Sequence, residues 1–234
     1  MTDSLNTYGD SFRPTEDGRG VDISSQRQDA LDQGAVAAVE RRARDTGRAV
    51  TAVDLGGGFG AQSVRMARAG AAVTLIDRAD MARETFANAV RDGLPEDRLR
   101  FVQKDFDAVD AADVPEDFDV LYSQRALHYV PYDTAKALLR TLFNRMATGG
   151  EAFVSAAGWD TEYGKTYPDR DKPVAERFAK VTPDMQEKHG ITHKIVTYTE
   201  QDMETLLTET GFADVKVTRS AFGNIKATAH KPGP

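Results

Sequence analysis

Between Ala49 and Ala156 the chain alternates strand-like apolar runs with helix-like or turn-rich connectors, and few architectures tolerate that rhythm. A strand followed by a crossover and another strand in the same direction is the unit of a parallel sheet covered by helices. The strand-like runs are Ala49–Leu55, Ala72–Ile76, Leu99–Val102, Phe118–Tyr122 and Glu151–Ala156. Gly60–Ala69 reads as a short helix between the first two. Asp80 is placed to cap a helix running to about Arg91, with Met81, Thr85, Phe86, Ala89 and Val90 on one face. Asp133 is placed to cap another, with Leu138, Leu139, Leu142, Phe143 and Met146 as its apolar stripe and Gly149-Gly150 as its stop.

The flanks differ. Residues 1–23 are rich in Gly, Asp and Ser and read as a loosely structured arm. Leu31, Ala35, Val39 and Ala43 recur at near-helical spacing after the Ser24-Ser25 pair, and Gly47 ends that helix. Residues 1–48 therefore form a cap on a main domain of residues 49–234. Residues 158–198 break the alternation, and an aperiodic stretch of that length inside a compact domain reads as a lid or binding insertion. Beyond it, Thr199 and Asp202 make a capping box for a helix carrying Met203, Leu206 and Leu207, with Gly211 as its stop. Val215–Phe222 and Ile225–Ala229 then read as a hairpin joined by Gly223-Asn224.

Composition narrows the chemistry. With no cysteine there is no disulfide, thiolate nucleophile or Cys-held metal. A net charge of −7 argues against wholesale nucleic-acid binding, and Arg41, Arg42, Arg44 and Arg48 read as a solvated helix face. No apolar run approaches the roughly 20 residues that span a bilayer. Met1 to Asp10 lacks the basic start of a secretory signal, so a cytoplasmic location is expected. His189 and His193, four apart, are poor metal ligands because Gly190 interrupts any helix between them, and no metal is expected. Nothing in the sequence indicates an oligomer.

The most informative segment is Val53-Asp54-Leu55-Gly56-Gly57-Gly58-Phe59-Gly60, where the first strand turns into a helix. Missing side chains let backbone approach a ligand, and helix-start N–H groups favour anionic groups, so a nucleotide-like ligand is implied. Gly56, Gly58 and Ala61 also satisfy the dinucleotide fingerprint, and Asp77 at the end of the second strand suits either a nicotinamide or another adenosine cofactor. The order Asp54-x-Gly56-x-Gly58-x-Gly60, then Asp77, then Asp105-Phe106, then Phe118-Asp119 resembles the class I S-adenosylmethionine-dependent methyltransferases. The likeness runs from about Ala49 to Ala157. It implies a doubly wound α/β fold with a seven-stranded, mainly parallel sheet, an antiparallel terminal strand and helices on both faces.

Carried over, the resemblance implies S-adenosylmethionine as cofactor and S-adenosylhomocysteine as product. Asp54 is among the cofactor-binding residues, Gly56 and Gly58 border the methionine part, Asp77 holds the ribose, and Asp105 meets the adenine amino group beside the Phe106 backbone. Arg78 and Met81 flank the adenosine, although Arg78 stands where an apolar residue is usual; Ser123 and Gln124 face the methionine end. Ser123 to Val130 also resembles the Ala-Leu-His motif of such enzymes, which makes His128 the candidate base, with a structural role as its alternative. Trp159, Tyr163, Tyr167 and His193 are candidate walls for a small-molecule acceptor, and Tyr8, Phe12 and Arg13 candidates to close over the cofactor. Rival readings are methylation of protein or RNA, cofactor binding without catalysis, and a nicotinamide-dependent oxidoreductase.

Overall fold

The computed structural model describes residues 4–5, 11–14, 18–22 and 27–233. Short strands β1 (Ser4–Leu5), β2 (Ser11–Pro14) and β3 (Val21–Asp22) pair antiparallel within the N-terminal arm. Tyr8 and the side chains of Phe12 and Arg13 lie outside the described residues. Helix α1 (Ala30–Thr46) then leads into the alternating core: β4 (Val50–Leu55), α2 (Ala61–Arg68), β5 (Ala71–Asp77), α3 (Arg83–Arg91), β6 (Leu99–Gln103), β7 (Phe118–Gln124), α4 (Tyr132–Arg145) and β8 (Met146–Ala156). The insertion holds α5 (Glu162–Lys165), β9 (Phe178–Lys180), α6 (Pro183–His189) and β10 (Lys194–Val196). The chain closes with α7 (Glu200–Thr210), β11 (Ala213–Arg219) and β12 (Ile225–His230).

Seven strands form one sheet in the order β11-β12-β8-β7-β4-β5-β6. β12 alone runs against the others, slotted between β11 and β8, so the terminal strand is the reversed one. Helices α1, α2 and α3 cover one face, where Val39, Val50, Met66, Val73 and Phe153 are buried together. Helices α4 and α7 cover the other, over Leu55, Ile76, Leu121, Leu139 and Leu206. Because β4, β5, β6 and β7 are parallel, their carboxyl ends share one edge, and strand order changes direction between β4 and β7 there. That reversal opens a crevice at which open α/β sheets bind ligands.

Several boundaries differ from the sequence reading. The cap of α1 is Asp29, not the Ser24-Ser25 pair, which lies outside the described residues. Asp29 and Asp32 form a reciprocal capping box that satisfies the first N–H groups of the helix. Neither Asp80 nor Asp133 is a cap: α3 starts after Ala82, with Asp80 paired to Arg83, and α4 starts after Pro131, with Asp133 in its first turn. Gly149-Gly150 does not end a helix. β8 already begins at Met146, which pairs with Phe118 across a register shift, and the glycines lie inside the strand. The final hairpin turns over Ser220–Asn224, five residues rather than two, with Ser220 N–H donating to the Asn224 carbonyl.

The insertion is a small folded unit rather than an aperiodic loop. Its neck is closed by a bridge between Gly158 and Tyr198. Inside, Tyr163, Tyr167, Val181, Ile191 and Ile195 make a separate apolar cluster. Residues 18–20 are added to it, since Gly20 N–H donates to the Gly190 carbonyl (3.0 Å) and Thr192 N–H to the Gly18 carbonyl (2.9 Å). The insertion lies over the carboxyl edge, where β10 packs on the turn Leu127–Tyr129.

Candidate functional site

At the end of β4 the backbone makes a turn only glycine fits. Gly56 and Gly58 adopt φ of 71° and 53°, the left-handed region that a side chain disfavours. A Cβ on Gly56 would lie 2.2 Å from Ala126 Cβ and 3.1 Å from Phe106 Cζ, so the turn is wedged between the ends of β7 and β6. Gly57 has a steric role of its own, because a Cβ there would lie 2.7 Å from Asp54 Oδ2 and 2.8 Å from Leu75 Cδ1. Beyond its chain neighbours, the nearest atom among the described residues that a Cβ on Gly58 would meet is Met81 Cε, 4.0 Å away.

One carboxylate is bound to this turn and a second lies under it. Asp77, at the tip of β5, accepts from Gly58 N–H through Oδ2 (3.0 Å) and from Ala79 N–H through Oδ1 (3.1 Å). Asp54 is fully buried beneath; Ser63 Oγ donates to its Oδ2 (2.7 Å), while Oδ1 has no hydrogen-bond partner among the described residues. Burial pushes the Asp54 carboxyl up to about 7, and the neighbouring carboxylates of Asp77 and Asp32 add to the effect. An unpaired buried acceptor is costly, so a site with one is prepared for a donor or cation. Next along the edge, Arg78 Nε pairs with Asp105 Oδ1 at 3.2 Å, which gives the unexpected arginine a partner. Gly56, Gly58, Asp77, Arg78, Met81, Asp105 and Phe106 are therefore gathered along the ends of β4, β5 and β6.

Ser123 and Gln124 are turned inward. Ser123 Oγ donates to the Leu55 carbonyl (2.9 Å) and bonds the two central strands together. Gln124 Nε2 donates to Asp29 Oδ2 (3.0 Å), and the Tyr122 hydroxyl lies between Gln124 Oε1 and Asp32 Oδ1. Burial would raise the Asp29 carboxyl, but Lys226, whose ammonium is 2.5 Å away, and the Leu31 N–H hold it below the usual range. Burial leaves the Asp32 carboxyl above its usual range. This network, which anchors the start of α1 to the carboxyl edge, was missed in the sequence; the Asp29-x-x-Asp32 spacing was its one local signal.

His128 is 2% exposed, and its Nδ1 accepts from the Ala157 N–H at 3.4 Å. Burial, then the positive charges of Arg125 and Arg19, push the imidazole down to about 3. It is neutral at physiological pH, with Nδ1 as acceptor. Arg125, also missed, has φ of 52° and donates its N–H to both the carbonyl (3.1 Å) and the hydroxyl (3.0 Å) of Ser155. Its buried Nε has no partner among the described residues.

The aromatic candidates of the insertion separate. The Tyr167 hydroxyl accepts from Ala179 N–H and lies 2.6 to 3.1 Å from the carbonyl oxygens of Ile195, Arg177 and Ala179, at the centre of the insertion. Trp159 has the guanidinium carbons of Arg170 and Arg177 at 4.7 and 4.9 Å from its ring. Tyr163 is buried edge-on to His189, whose Nε2 is 3.1 Å from Glu162 Oε2. Only His193 is exposed; it lines an open depression of about 450 Å³ with Arg19, Tyr129, Phe178, Lys180, Thr192 and Lys194. His189 ends α6 and Gly190 turns the chain away, so the two histidines share no helical face. Among the described residues no group of three His, Asp or Glu is disposed to hold a metal. The four arginines expected on one solvated helix face divide: Arg48 lies beyond the end of α1, Arg42 and Arg48 pair with the buried Asp119, and Arg41 pairs with Glu151.

Residues 52–150 match the model of the family described as "Methyltransferase domain". No curated protein matches the chain. Among solved structures, the chain is similar to the S-adenosylmethionine-dependent methyltransferase SibL in its apo form, with 24% identity over 87% of this chain and 56% of that one and a TM-score of 0.56. It is similar to magnesium protoporphyrin IX methyltransferase from Synechocystis PCC 6803 with bound S-adenosylhomocysteine, at 18% identity over 86% and 83% and a TM-score of 0.55. It is also similar to Burkholderia thailandensis 1,6-didemethyltoxoflavin-N1-methyltransferase, at 19% identity over 87% and 79% and a TM-score of 0.56. The chain spans little more than half the length of SibL. These likenesses establish the fold.

Proposed function

We propose that this chain is a class I S-adenosylmethionine-dependent methyltransferase and that it transfers the methyl group of S-adenosylmethionine to an O, N or C atom of a small-molecule acceptor. The observation that carries this reading is the pairing of two acidic groups with one glycine turn. Backbone N–H groups of Gly58 and Ala79 hold the Asp77 carboxylate at the turn, where a carboxylate is the acceptor that the two hydroxyls of a ribose call for. Asp105 is exposed at the next strand end, within reach of an exocyclic amino group, and Arg78 beside it orients the carboxylate. The orphaned Asp54 Oδ1 fits the cationic end of the cofactor better than the pyrophosphate of a dinucleotide, which a buried carboxylate would repel. Bound there, the cofactor supplies an electrophilic methyl on a sulfonium.

The chain's own residues then position and exclude water, which accounts for most of the acceleration in an in-line displacement. The insertion covers the edge, and His128 fastens it there by taking the Ala157 N–H at the start of the insertion. With its imidazole at about 3, His128 is a poor proton acceptor near neutrality, so its part in this proposal is positioning. Two solved neighbours are named for magnesium protoporphyrin IX and for 1,6-didemethyltoxoflavin, both small molecules, which supports that acceptor class here. Arg41, Arg42 and Arg48 are engaged by carboxylates, so that arginine cluster is not a free basic strip for an RNA acceptor. No helix among the described residues is long and apolar enough to cross a membrane, and cytoplasmic operation is part of the proposal.

The test is transfer of labelled methyl from S-adenosylmethionine into the small-metabolite fraction of a cell extract. Label in that fraction supports the reading. Label confined to protein or RNA transfers the assignment to those acceptors, and fluorescence quenching by NADH without any response to S-adenosylhomocysteine replaces it with an oxidoreductase.

A further inference from the structure

The β9–β10 ribbon contains an electrostatic conflict. Lys180 and Lys194 are direct partners across the two strands, and like charges in that position destabilise a ribbon. Both are exposed, and neither has a carboxylate partner among the described residues. They stand beside Arg19 and His193 on the rim of the 450 Å³ depression, so two exposed ammonium groups converge there in a chain whose net charge is −7. Such a concentration focuses the field on one place and draws anions to it.

Besides Thr192 and His193, the remaining walls are the flat rings of Tyr129 and Phe178. Lys194 Nζ lies 5.9 Å from the centre of the Phe178 ring, and the Arg19 guanidinium carbon lies 5.7 Å from that of Tyr129. The Tyr129 hydroxyl donates to the Arg19 carbonyl, which fixes the ring in the wall. A cavity of this size holds a ligand of metabolite dimensions. Its position is informative too. Tyr129 closes the turn that follows β7 and His128 is its neighbour, with ring centres 4.2 Å apart, so the depression opens beside the carboxyl edge at which the cofactor is proposed to bind.

We infer that this depression is an acceptor subsite for an anionic ring compound: the ring rests against Tyr129 and Phe178, and a carboxylate or phosphate on it sits between Lys180 and Lys194. The inference rests on the methyl-transfer reading for its purpose, but the anion site stands on its own observations. Occupation relieves the lysine–lysine repulsion, so binding the anion and ordering the ribbon reinforce each other.

The experiment is calorimetry on the full chain loaded with S-adenosylhomocysteine, using hydroxybenzoates and hydroxynaphthoates, their uncharged carboxamides, and the corresponding aryl phosphates as probes. Anionic probes are expected to bind at least about tenfold more tightly than the carboxamides, the size of one charge-assisted hydrogen bond, and the carboxylate and phosphate arms identify which anion is preferred. The double variant Lys180→Met, Lys194→Met is expected to lose that preference, and Lys180→Arg, Lys194→Arg to keep it, with S-adenosylhomocysteine affinity unchanged in both. Equal binding of charged and uncharged probes, an unaltered preference in the methionine variant, or no binding by any probe overturns the inference. Failure of S-adenosylhomocysteine to bind the same preparation overturns the methyl-transfer reading instead, and the anion preference is then read in the unloaded protein.

Discussion

The buried Asp54 makes a prediction that can be worked through in full. Its carboxyl is raised from 3.8 to about 7 in the folded chain, chiefly by burial. Below about pH 4 the group is neutral in both folded and unfolded chains, and above about pH 7 it is ionised in both. Between those limits the unfolded chain has released a proton that the folded chain keeps, so stability falls as pH rises. Each tenfold difference in proton affinity between the two states is worth about 1.4 kcal/mol, and the whole span therefore costs about 4 kcal/mol by pH 8. Asparagine at this position has nothing to titrate. Any fixed change in packing or in the Ser63 hydrogen bond offsets the variant equally at every pH and cancels from the comparison. The assay is denaturant unfolding of wild type and Asp54→Asn at several pH values from about 4 to 8. The variant should gain on the wild type by about 4 kcal/mol across that range, with most of the change above about pH 5. Parallel stability curves for the two proteins refute the claim that a buried carboxyl with one orphaned oxygen is stored under the glycine turn.

Other consequences are shorter to state. Asp77→Ala removes the proposed acceptor of both ribose hydroxyls, and charged hydrogen bonds of about 1.5 to 3 kcal/mol each make the loss of S-adenosylhomocysteine affinity a hundredfold or more by calorimetry; unchanged affinity rejects the assignment. Asp119→Ala strips the partner from Arg42, Arg48 and the Thr51 N–H at a fully buried carboxylate, and should lower stability by about 3 to 5 kcal/mol in urea unfolding, whereas a loss below about 1 kcal/mol contradicts the network. His128→Ala should lower the thermal midpoint by loosening the insertion and leave turnover within about tenfold of wild type. A fall of about 10²- to 10⁴-fold in kcat with stability intact makes it the base after all.

What the sequence could reveal followed the range of the interaction. The strand–helix alternation, the glycine turn and the Thr199–Asp202 box are local patterns, and each appears in the structure close to where it is written. Start signals were less secure, because any Asp near a helix resembles a cap. Asp80 and Asp133 had the right chemistry in the wrong place, while the real cap at Asp29 stood a few residues beyond a more familiar Ser pair. Strands of three residues such as β9 and β10 carry too few positions for a period to emerge, so the insertion looked unstructured. Contacts between distant residues left no trace at all. Nothing near Tyr122 announces Asp32, and nothing near Trp159 announces that two arginines will lie 4.7 and 4.9 Å from its ring. Side-chain direction was equally illegible at Ser123, whose position at the strand end is the one expected but whose hydroxyl is spent on the Leu55 carbonyl.

The central claim is that the turn after β4, flanked by Asp77 and Asp105, receives an adenosyl sulfonium cofactor. Titration of the folded chain with S-adenosylhomocysteine in a calorimeter tests it directly. The account predicts saturable one-to-one binding that competes with S-adenosylmethionine and is lost in Asp77→Ala. Absence of heat from either compound, with NADH giving a saturable signal in its place, contradicts it.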